Sequence, residues 1–220
     1  MALEVYWGSG SPYAWRVLLT LEVKHLKYES KILEFSRQQN KSPGYLKLNP
    51  RGKVPTLKDG DFILYESLAI MTYLERKYPE PPIFGRTPQE TGTIWRIISE
   101  CDSYLLEPIS KVARPLYFGG VSEKRHEILE AAKTVHNELA HLEASAAMSP
   151  WLTGTEVTAA DIAIFPFAQT ILRAASKEDA KPLNLGFLPL NERYPHLAAW
   201  VERVEGIPGY ERTYPPHWRQ

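Results

Sequence analysis

Ser11 stands where a hydroxyl group could do chemistry. It follows the turn signal Gly8-Ser9-Gly10 and precedes Pro12, and serine followed by proline is typical of a helix start. A hydroxyl there can donate a hydrogen bond to an anion, and the helix N-terminus adds partial positive charge. The position therefore suits stabilisation of a negatively charged atom such as a thiolate. No Ser-His-Asp arrangement is recognisable that would indicate an acyl-enzyme, and the alternative is that Ser11 only caps its helix.

Two further motifs could hold a ligand. Pro55 interrupts an apolar, strand-like run, where it cannot donate a ladder hydrogen bond and therefore indicates special backbone geometry or an edge strand. Glu66 and Ser67 open a segment of helical periodicity. A serine hydroxyl and free helix amides can receive a carboxylate there, and Glu66 can accept an ammonium group. The same pair also suits an ordinary helix cap with an acid in the first turn.

The elements that would position these residues follow the order βαβαββα. Apolar runs and turn signals predict a strand at 3–7, a helix from Ser11 to about His25, a strand near 27–33, a short helix ending at Leu48, a hairpin around Asp59-Gly60 and a helix over 66–78.

A proline-rich stretch divides the chain. Pro79-Glu80-Pro81-Pro82 is followed closely by Gly85 and Pro88, which predicts a linker at 80–87 between a first domain, 1–79, and a second, 88–220. No strand pattern follows the linker. Apolar residues recur at helical spacing over 128–146, and Thr158 with Asp161 indicates a capped helix start, so the second domain is predicted to be all helical.

Composition excludes several kinds of partner. The 220 residues include 26 basic and 26 acidic side chains, giving a formal net charge of +0. This balance argues against nucleic-acid and anionic-membrane binding. The single cysteine, Cys101, excludes an internal disulfide, a dithiol redox motif and a multi-cysteine metal site, and is expected to be a buried small hydrophobe. No metal site is predicted. We expect a cytoplasmic protein, because no signal-type or membrane-spanning run occurs.

These motifs, in this order, resemble those of the cytosolic glutathione transferases. The segment from Ser11 to Val17 is similar to the active-site segment of the serine-type tau and zeta classes. The fragments that match further along the chain are Asn40-Lys41-Ser42-Pro43, Asn49-Pro50, Lys53-Val54-Pro55-Thr56-Leu57 and Glu66-Ser67-Leu68-Ala69-Ile70. The resemblance covers the whole chain and implies a thioredoxin-like N-terminal domain followed by an all-helical C-terminal domain.

The resemblance also implies a co-substrate, glutathione, and a role for each motif. Ser11 would be the catalytic residue that stabilises the glutathione thiolate. Pro55 would be cis, and the backbone of Val54 would pair with the cysteinyl unit of glutathione. Glu66 and Ser67 would hold the γ-glutamyl end, and the lysines Lys41 and Lys53 the glycine carboxylate.

Electrophile contacts are expected mainly from the helical domain. The resemblance implies that a small, hydrophobic electrophile meets Tyr13 of the first domain and the residues Tyr104, Ile109, Arg114 and Tyr117 of the first long helix of the second. It also implies detoxification as the role and a homodimer as the assembly, with Asp102 near the γ-glutamyl group bound by a partner subunit.

Three other functions stay open at this point. A non-catalytic glutathione-transferase-like binding module would not need Ser11. A zeta-type isomerase would carry further serine and cysteine residues beside the catalytic serine, where this chain has Pro12 and Tyr13. A glutathione-dependent thiol reductase would need cysteine at position 11. The transferase class is also open, because the spacing around Arg51-Gly52 departs from the tau pattern.

Overall fold

The chain folds into two compact units in the computed structural model, which describes residues 3–219. The first unit contains the residues up to Ile83 together with those from Glu205 onward, and the second runs from Phe84 to Val204. The predicted division at 80–87 therefore lies at the first crossing between units. The predicted second domain, 88–220, differs from the observed unit in its last residues, which pack with the first unit through aromatic contacts described below.

The first unit is built around a mixed sheet with the strand order β2-β1-β3-β4. Strand β1 pairs in parallel with β2 and antiparallel with β3, and β3 pairs antiparallel with β4. This order, with the helices between the strands, is the predicted βαβαββα thioredoxin-like fold. The bounds are β1 Leu3–Trp7, α1 Pro12–Val23, β2 Tyr28–Ile32, α2 Pro43–Leu48, β3 Thr56–Asp59, β4 Phe62–Tyr65 and α3 Ser67–Lys77.

The core of this unit follows from alternation in β1 and from one apolar helix. Leu3, Val5 and Trp7 are buried, while the two residues between them are partly exposed. Side chains on one face of a strand alternate in this way, so the buried set packs against the helices. Helix α1 is buried along nearly its whole length, with Leu18 at 1% exposure. Burial of this apolar surface fixes the amino end of α1 relative to the sheet.

A buried lysine, Lys24, fixes the segment that follows α3. The Nζ of Lys24 donates to the carbonyls of Tyr78 at 2.7 Å and Pro81 at 2.8 Å, and lies 2.6 Å from Oε2 of Glu75. Glu75 in turn accepts the backbone N–H of Ile83 at 3.1 Å. Part of the segment predicted as a linker is therefore ordered by hydrogen bonds to α1 and α3.

The second unit is helical, as predicted. Its elements are α4 Pro88–Glu100, α5 Leu106–Phe118, α6 Arg125–Met148, α7 Ala159–Ala175, α8 Leu190–Arg193 and α9 Pro195–Glu205, and the chain continues into a short helix of the first unit, α10 Tyr210–Thr213. Among the described residues of the second unit, β-type pairing is limited to one isolated bridge between Trp151 and Gly154. Among the described residues, no helix is both long and apolar enough to cross a membrane.

One long helix expected in this unit is interrupted. A π-helical segment, Cys101–Leu105, separates α4 from α5, and the N–H of Leu106 bonds the carbonyl of Cys101. The extra residue per turn changes the direction of side chains across the segment. Tyr104 therefore lies in the π-helical segment, whereas Ile109, Arg114 and Tyr117 lie on α5. Cys101 is 4% exposed, which confirms its prediction as a buried small hydrophobe.

The predicted capping motif at Thr158 is confirmed and extends into the core. The Oδ2 of Asp161 accepts the N–H of Thr158 at 2.9 Å, and its Oδ1 accepts the N–H of Leu152 and the indole N–H of Trp200, both at 2.9 Å. Burial raises the pKa of Asp161, and these hydrogen bonds oppose the increase. The carboxyl group therefore joins the start of α7 to a loop and to α9.

Candidate active site

The amino end of α1 presents the hydroxyl of Ser11. Its Oγ accepts the N–H of Ala14 at 3.3 Å, so the capping function is confirmed. A hydroxyl that accepts through a lone pair keeps its own proton for donation. The capping role and a role as a donor to a ligand are therefore compatible in the same side chain.

A cavity of about 350 Å³ opens in the first unit, and most of the predicted ligand-binding residues line it. The lining residues are Tyr13, Asn49, Arg51, Lys53, Val54, Pro55, Glu66 and Ser67. Ser11 is not among the lining residues, but Tyr13, two positions later in the first turn of α1, is. A volume of this size is at the lower end of the range for small-molecule sites.

The loop before β3 carries the predicted cis-proline. The Val54–Pro55 peptide bond is cis, which confirms that prediction. Strand β3 begins at Thr56, one strand in from the sheet edge, so the edge-strand interpretation of Pro55 is wrong. Within the part of the chain that the structure describes, the N–H and C=O of Val54 take part in no backbone hydrogen bond.

Hydrogen bonds from buried side chains shape this loop. The Nδ2 of Asn49, a residue 2% exposed, donates to the carbonyl of Lys53 at 2.8 Å, and its Oδ1 accepts the N–H of Arg51 at 3.0 Å. The hydroxyl of Tyr45 donates to the same Lys53 carbonyl at 2.6 Å. Burial raises the pKa of Tyr45, so this hydroxyl stays protonated at neutral pH. Side chains of the protein itself therefore hold the loop backbone in this conformation.

The amino end of α3 lies on the cavity and is not capped by a side chain. Glu66 occupies the N-cap position with φ 74° and ψ 117°, and its side chain makes no capping hydrogen bond. The interpretation of the pair Glu66-Ser67 as an ordinary helix cap with an acid in the first turn is therefore wrong, because Glu66 precedes the first turn and does not cap it. A positive φ in a residue with a Cβ costs about 1–3 kcal/mol and is concentrated at functional sites. Ser67, at the first helical position, is 6% exposed, and the first amides of α3 have no intrahelical partner.

The charges around the cavity have both signs. Arg51 and Lys53 are cationic and exposed, and the Nε of Arg51 lies 3.8 Å from Oε1 of Glu66. Two exposed charges at this distance attract each other only weakly. Lys41 does not line the cavity, but its Nζ lies 3.4 Å from the carbonyl oxygen of Arg51. The arrangement can receive a ligand that carries both carboxylate and ammonium groups.

Two cavity residues were not predicted as binding residues. Asn49 and Arg51 belong to the Asn49-Pro50-Arg51-Gly52 sequence, which predicted only a turn. Gly52 adopts φ 58°, and a Cβ there would lie 2.8 Å from Nζ of Lys41 and from the carbonyl oxygen of Asn40. The turn signal could have indicated a binding loop, because the neighbouring Lys53 and Val54 were already predicted to bind ligand.

The predicted electrophile-binding residues of the helical unit have very different exposures. Tyr104 is 59% exposed, and Arg114 is also exposed. Tyr117 is half-buried and donates its hydroxyl to the carbonyl of Thr170 at 3.1 Å. Ile109 is 2% exposed and in this conformation offers almost no surface to a ligand. Their contact with an electrophile remains a prediction.

Fold and cavity together define a two-unit protein with a ligand-binding cavity in a thioredoxin-like unit and a second, helical unit. The glutathione S-transferase N-terminal domain matches residues 6–82, and the glutathione S-transferase C-terminal domain matches residues 105–208. The chain belongs to the glutathione S-transferase family. It is therefore an enzyme of the glutathione transferase type.

Individual relatives support the same assignment. Glutathione S-transferase A of Pleuronectes platessa is 29% identical over 98% of this chain and 92% of that protein. Glutathione S-transferase theta-2 of Homo sapiens is 30% identical over 99% of this chain and 86% of that protein. A crystal structure of a glutathione S-transferase from the Antarctic clam Laternula elliptica has a TM-score of 0.83 and 32% identity, covering 100% of this chain and 95% of that one.

Proposed function

We propose that this transferase binds glutathione in the cavity of the first unit, stabilises its thiolate with the hydroxyl of Ser11 and adds the sulfur to a small, hydrophobic electrophile. The observation that carries the proposal is the hydrogen bond from the N–H of Ala14 to Oγ of Ser11. It places the hydroxyl at the positive end of α1 while leaving its proton available to a sulfur atom.

The proton of Ser11 would act on the ionisation of glutathione. A free thiol has a pKa near 8.5, so only a few per cent is thiolate at neutral pH. A hydrogen bond to a charged acceptor contributes about 1.5–3 kcal/mol, and one pKa unit corresponds to about 1.4 kcal/mol. A single donor of this kind therefore lowers the thiol pKa by about one to two units, which raises the thiolate fraction at pH 7 from a few per cent to about a quarter for one unit and about three quarters for two.

The remaining cavity groups would hold the tripeptide at three places. The backbone of Val54 pairs with the cysteinyl unit as an added strand would. The first amides of α3 and the hydroxyl of Ser67 receive the γ-glutamyl carboxylate, and the carboxylate of Glu66 accepts its ammonium group. Lys53 faces the glycine carboxylate. Lys41 contributes charge to the same end through its position beside Arg51.

The electrophile would meet side chains that provide apolar and aromatic surface. We propose contacts with Tyr13, Tyr104, Arg114 and Tyr117, and a packing role for Ile109, which is 2% exposed. The enzyme would act as a cytoplasmic homodimer in detoxification, with Asp102 of one subunit near the glutathione of the other. These assignments rest on the resemblance to the family.

Replacement of Ser11 by alanine tests the proposal. With glutathione and a chloro-dinitrobenzene as substrates, Ser11→Ala should lower kcat by about tenfold or more and raise the kinetic pKa of kcat/KM, because the lost hydrogen bond favours the thiolate specifically. The glutathione dissociation constant, measured by calorimetry, should change much less. Ser11→Thr, which keeps a hydroxyl, is the matched control and should retain much of the activity.

The results also separate the alternatives. Wild-type turnover in Ser11→Ala would show that Ser11 only caps α1. A wild-type protein that binds glutathione but gives no turnover above background would be a non-catalytic binding module. Absence of glutathione binding in the wild type would contradict the proposed site as a whole.

A further inference from the structure

The chain after α9 returns to the first unit and packs on α1. The ring of Trp15 lies 5.9 Å from that of Tyr214 and 5.5 Å from that of Trp218, with interplanar angles of 88° and 81°. The indole N–H of Trp15 donates to Oγ1 of Thr213 at 2.8 Å. Trp15 is 2% exposed and Thr213 is 1% exposed. Edge-to-face aromatic pairs add stability beyond their buried area, so this C-terminal segment is an integral part of the first unit.

The end of the segment reaches the loop between β1 and α1. The Nδ1 of His217 and the Oγ of Ser9 share a hydrogen bond of 2.5 Å. The imidazole also lies against Gly10, which has φ 80°: a Cβ at that position would lie 2.8 Å from Cε1 of His217. Only glycine combines this backbone conformation with room for the ring.

This loop determines where Ser11 is placed. The N–H of Ser11 donates to the carbonyl of Gly8 at 3.1 Å, and the carbonyl of Ser11 accepts the N–H of Trp15 at 3.0 Å. Ser11 is therefore held between a turn, whose middle residues contact His217, and a helix, whose Trp15 contacts Trp218. Its own side-chain hydrogen bond to the N–H of Ala14, at 3.3 Å, is slightly longer than the usual range for an N–H donor, so the backbone of the turn also contributes to the position of the hydroxyl.

We propose that His217 is a positioning residue for the transferase reaction: through its contacts with Ser9 and Gly10 it fixes the turn that sets the hydroxyl of Ser11. The inference rests on the proposed role of Ser11. Neither His217 nor Ser11 is among the residues that line the cavity. Because His217 contacts the turn before Ser11, we expect its effect on the chemical step and not on binding of the tripeptide. Small misplacements of a catalytic group lower rates strongly, so loss of this contact matters even though one neutral hydrogen bond is weak.

The experiment measures conjugation of glutathione with a chloro-dinitrobenzene in full-length variants. His217→Ala and Ser9→Ala should each lower kcat by about fivefold and raise the kinetic pKa of the thiol, with a glutathione dissociation constant within about twofold of wild type. His217→Asn keeps a polar group near the position of Nδ1 and should restore much of kcat. His196→Ala, at an exposed histidine of α9, is the control and should behave as wild type.

A combination with Ser11→Ala separates positioning from a general loss of structure. Because His217 acts through the Ser11 hydroxyl, adding His217→Ala to Ser11→Ala should change neither kcat nor the kinetic pKa further. If Ser11→Ala is impaired while both His217→Ala and Ser9→Ala match wild type, the inference is wrong and the proposed function stands. The inference is also wrong if His217→Ala lowers kcat by the same factor in the wild type and in Ser11→Ala. If Ser11→Ala itself has wild-type turnover, the proposed function fails and this inference with it. Ser9→Ala decides the question if His217→Ala does not fold.

Discussion

The Oγ of Ser11 accepts the backbone N–H of Ala14 at 3.3 Å, which places this side chain at the positive end of α1. A cysteine in the same place would have a lowered thiol pKa, since a helix N-terminus favours the thiolate. Ser11→Cys should therefore gain exchange with a small disulfide and glutathione while losing conjugation activity. The measurement is the rate of disulfide reduction by variant and wild type. Wild type is a suitable baseline because its single thiol, Cys101, is 4% exposed. Equal rates in both proteins would contradict a reactive position at the end of α1.

Glu66 offers a way to separate backbone strain from ligand binding. Its φ of 74° is unfavourable for a residue with a Cβ, so Glu66→Gly should raise the free energy of unfolding of the first unit, by about 1 kcal/mol after allowing for the flexibility of glycine. The same variant loses the carboxylate and should bind glutathione about tenfold more weakly. Glu66→Gln keeps the Cβ and should weaken binding similarly with unchanged stability. Denaturant titration and calorimetry give the two quantities. Unchanged affinity in Glu66→Gln would show that the carboxylate does not contact the ligand.

Lys24 is expected to be important for stability and not for catalysis. Its buried ammonium donates to the carbonyls of Tyr78 and Pro81, which follow α3, and pairs with Glu75. Lys24→Met leaves these acceptors without their donor, so the free energy of unfolding should fall by about 3–5 kcal/mol. Lys27→Met, at an exposed lysine of the same loop region, is the control. The midpoint of denaturant unfolding is measured for wild type, Lys24→Met and Lys27→Met. A midpoint of Lys24→Met equal to that of the control would contradict the structural role.

His136 makes stability depend on pH in the second unit. Its Nε2 lies 2.8 Å from the carbonyl of Leu185 and donates to it, and its Nδ1 lies 2.8 Å from the hydroxyl of Tyr194. That hydroxyl also donates to the backbone carbonyl of His136 at 3.1 Å. Burial lowers the pKa of His136 below its ordinary value near 6.5. At a pH between the lowered pKa of His136 in the folded protein and its ordinary pKa in the unfolded chain, the unfolded chain binds more protons than the folded one. Acid therefore favours unfolding.

The expected result is a loss of stability as the pH falls below about 6.5, ending at the lowered folded-state pKa. His136→Gln, which cannot titrate, should show a shallower decrease of the denaturation midpoint over the same range. His126→Gln, at an exposed histidine of α6, serves as the control and should follow wild type. Parallel pH profiles for His136→Gln and wild type would show that His136 does not contribute.

The sequence predicts those parts of the fold that depend on local interactions. The strand at Leu3–Trp7 alternates, α1 begins after a serine and a proline, and α7 begins at a capping pair, and each of these signals acts within a few residues. The interruption at Cys101–Leu105 could not be predicted, because the helical periodicity of the flanking segments continues and one extra residue in a turn leaves no distinct pattern.

The residues of the candidate site that belong to short sequence motifs could be predicted. Ser11, Val54, Pro55, Glu66 and Ser67 were found through motifs. The φ of Glu66 was not, because a non-glycine residue gives no signal of positive φ. The contact of His217 with Ser9 joins residues 208 positions apart, and nothing in the sequence near either residue indicates the other. Long-range pairs of this kind are set by tertiary packing alone.

The return of the C-terminal segment to α1 has a consequence for dissecting the protein. Since the residues from Glu205 onward belong with those up to Ile83, the backbone crosses between the units twice. Protease nicking near Pro82 would leave the two fragments associated through Trp15, Tyr214 and Trp218. Expression of the first 83 residues alone would instead expose the indole of Trp15 to solvent and produce an incomplete fragment that is prone to aggregation.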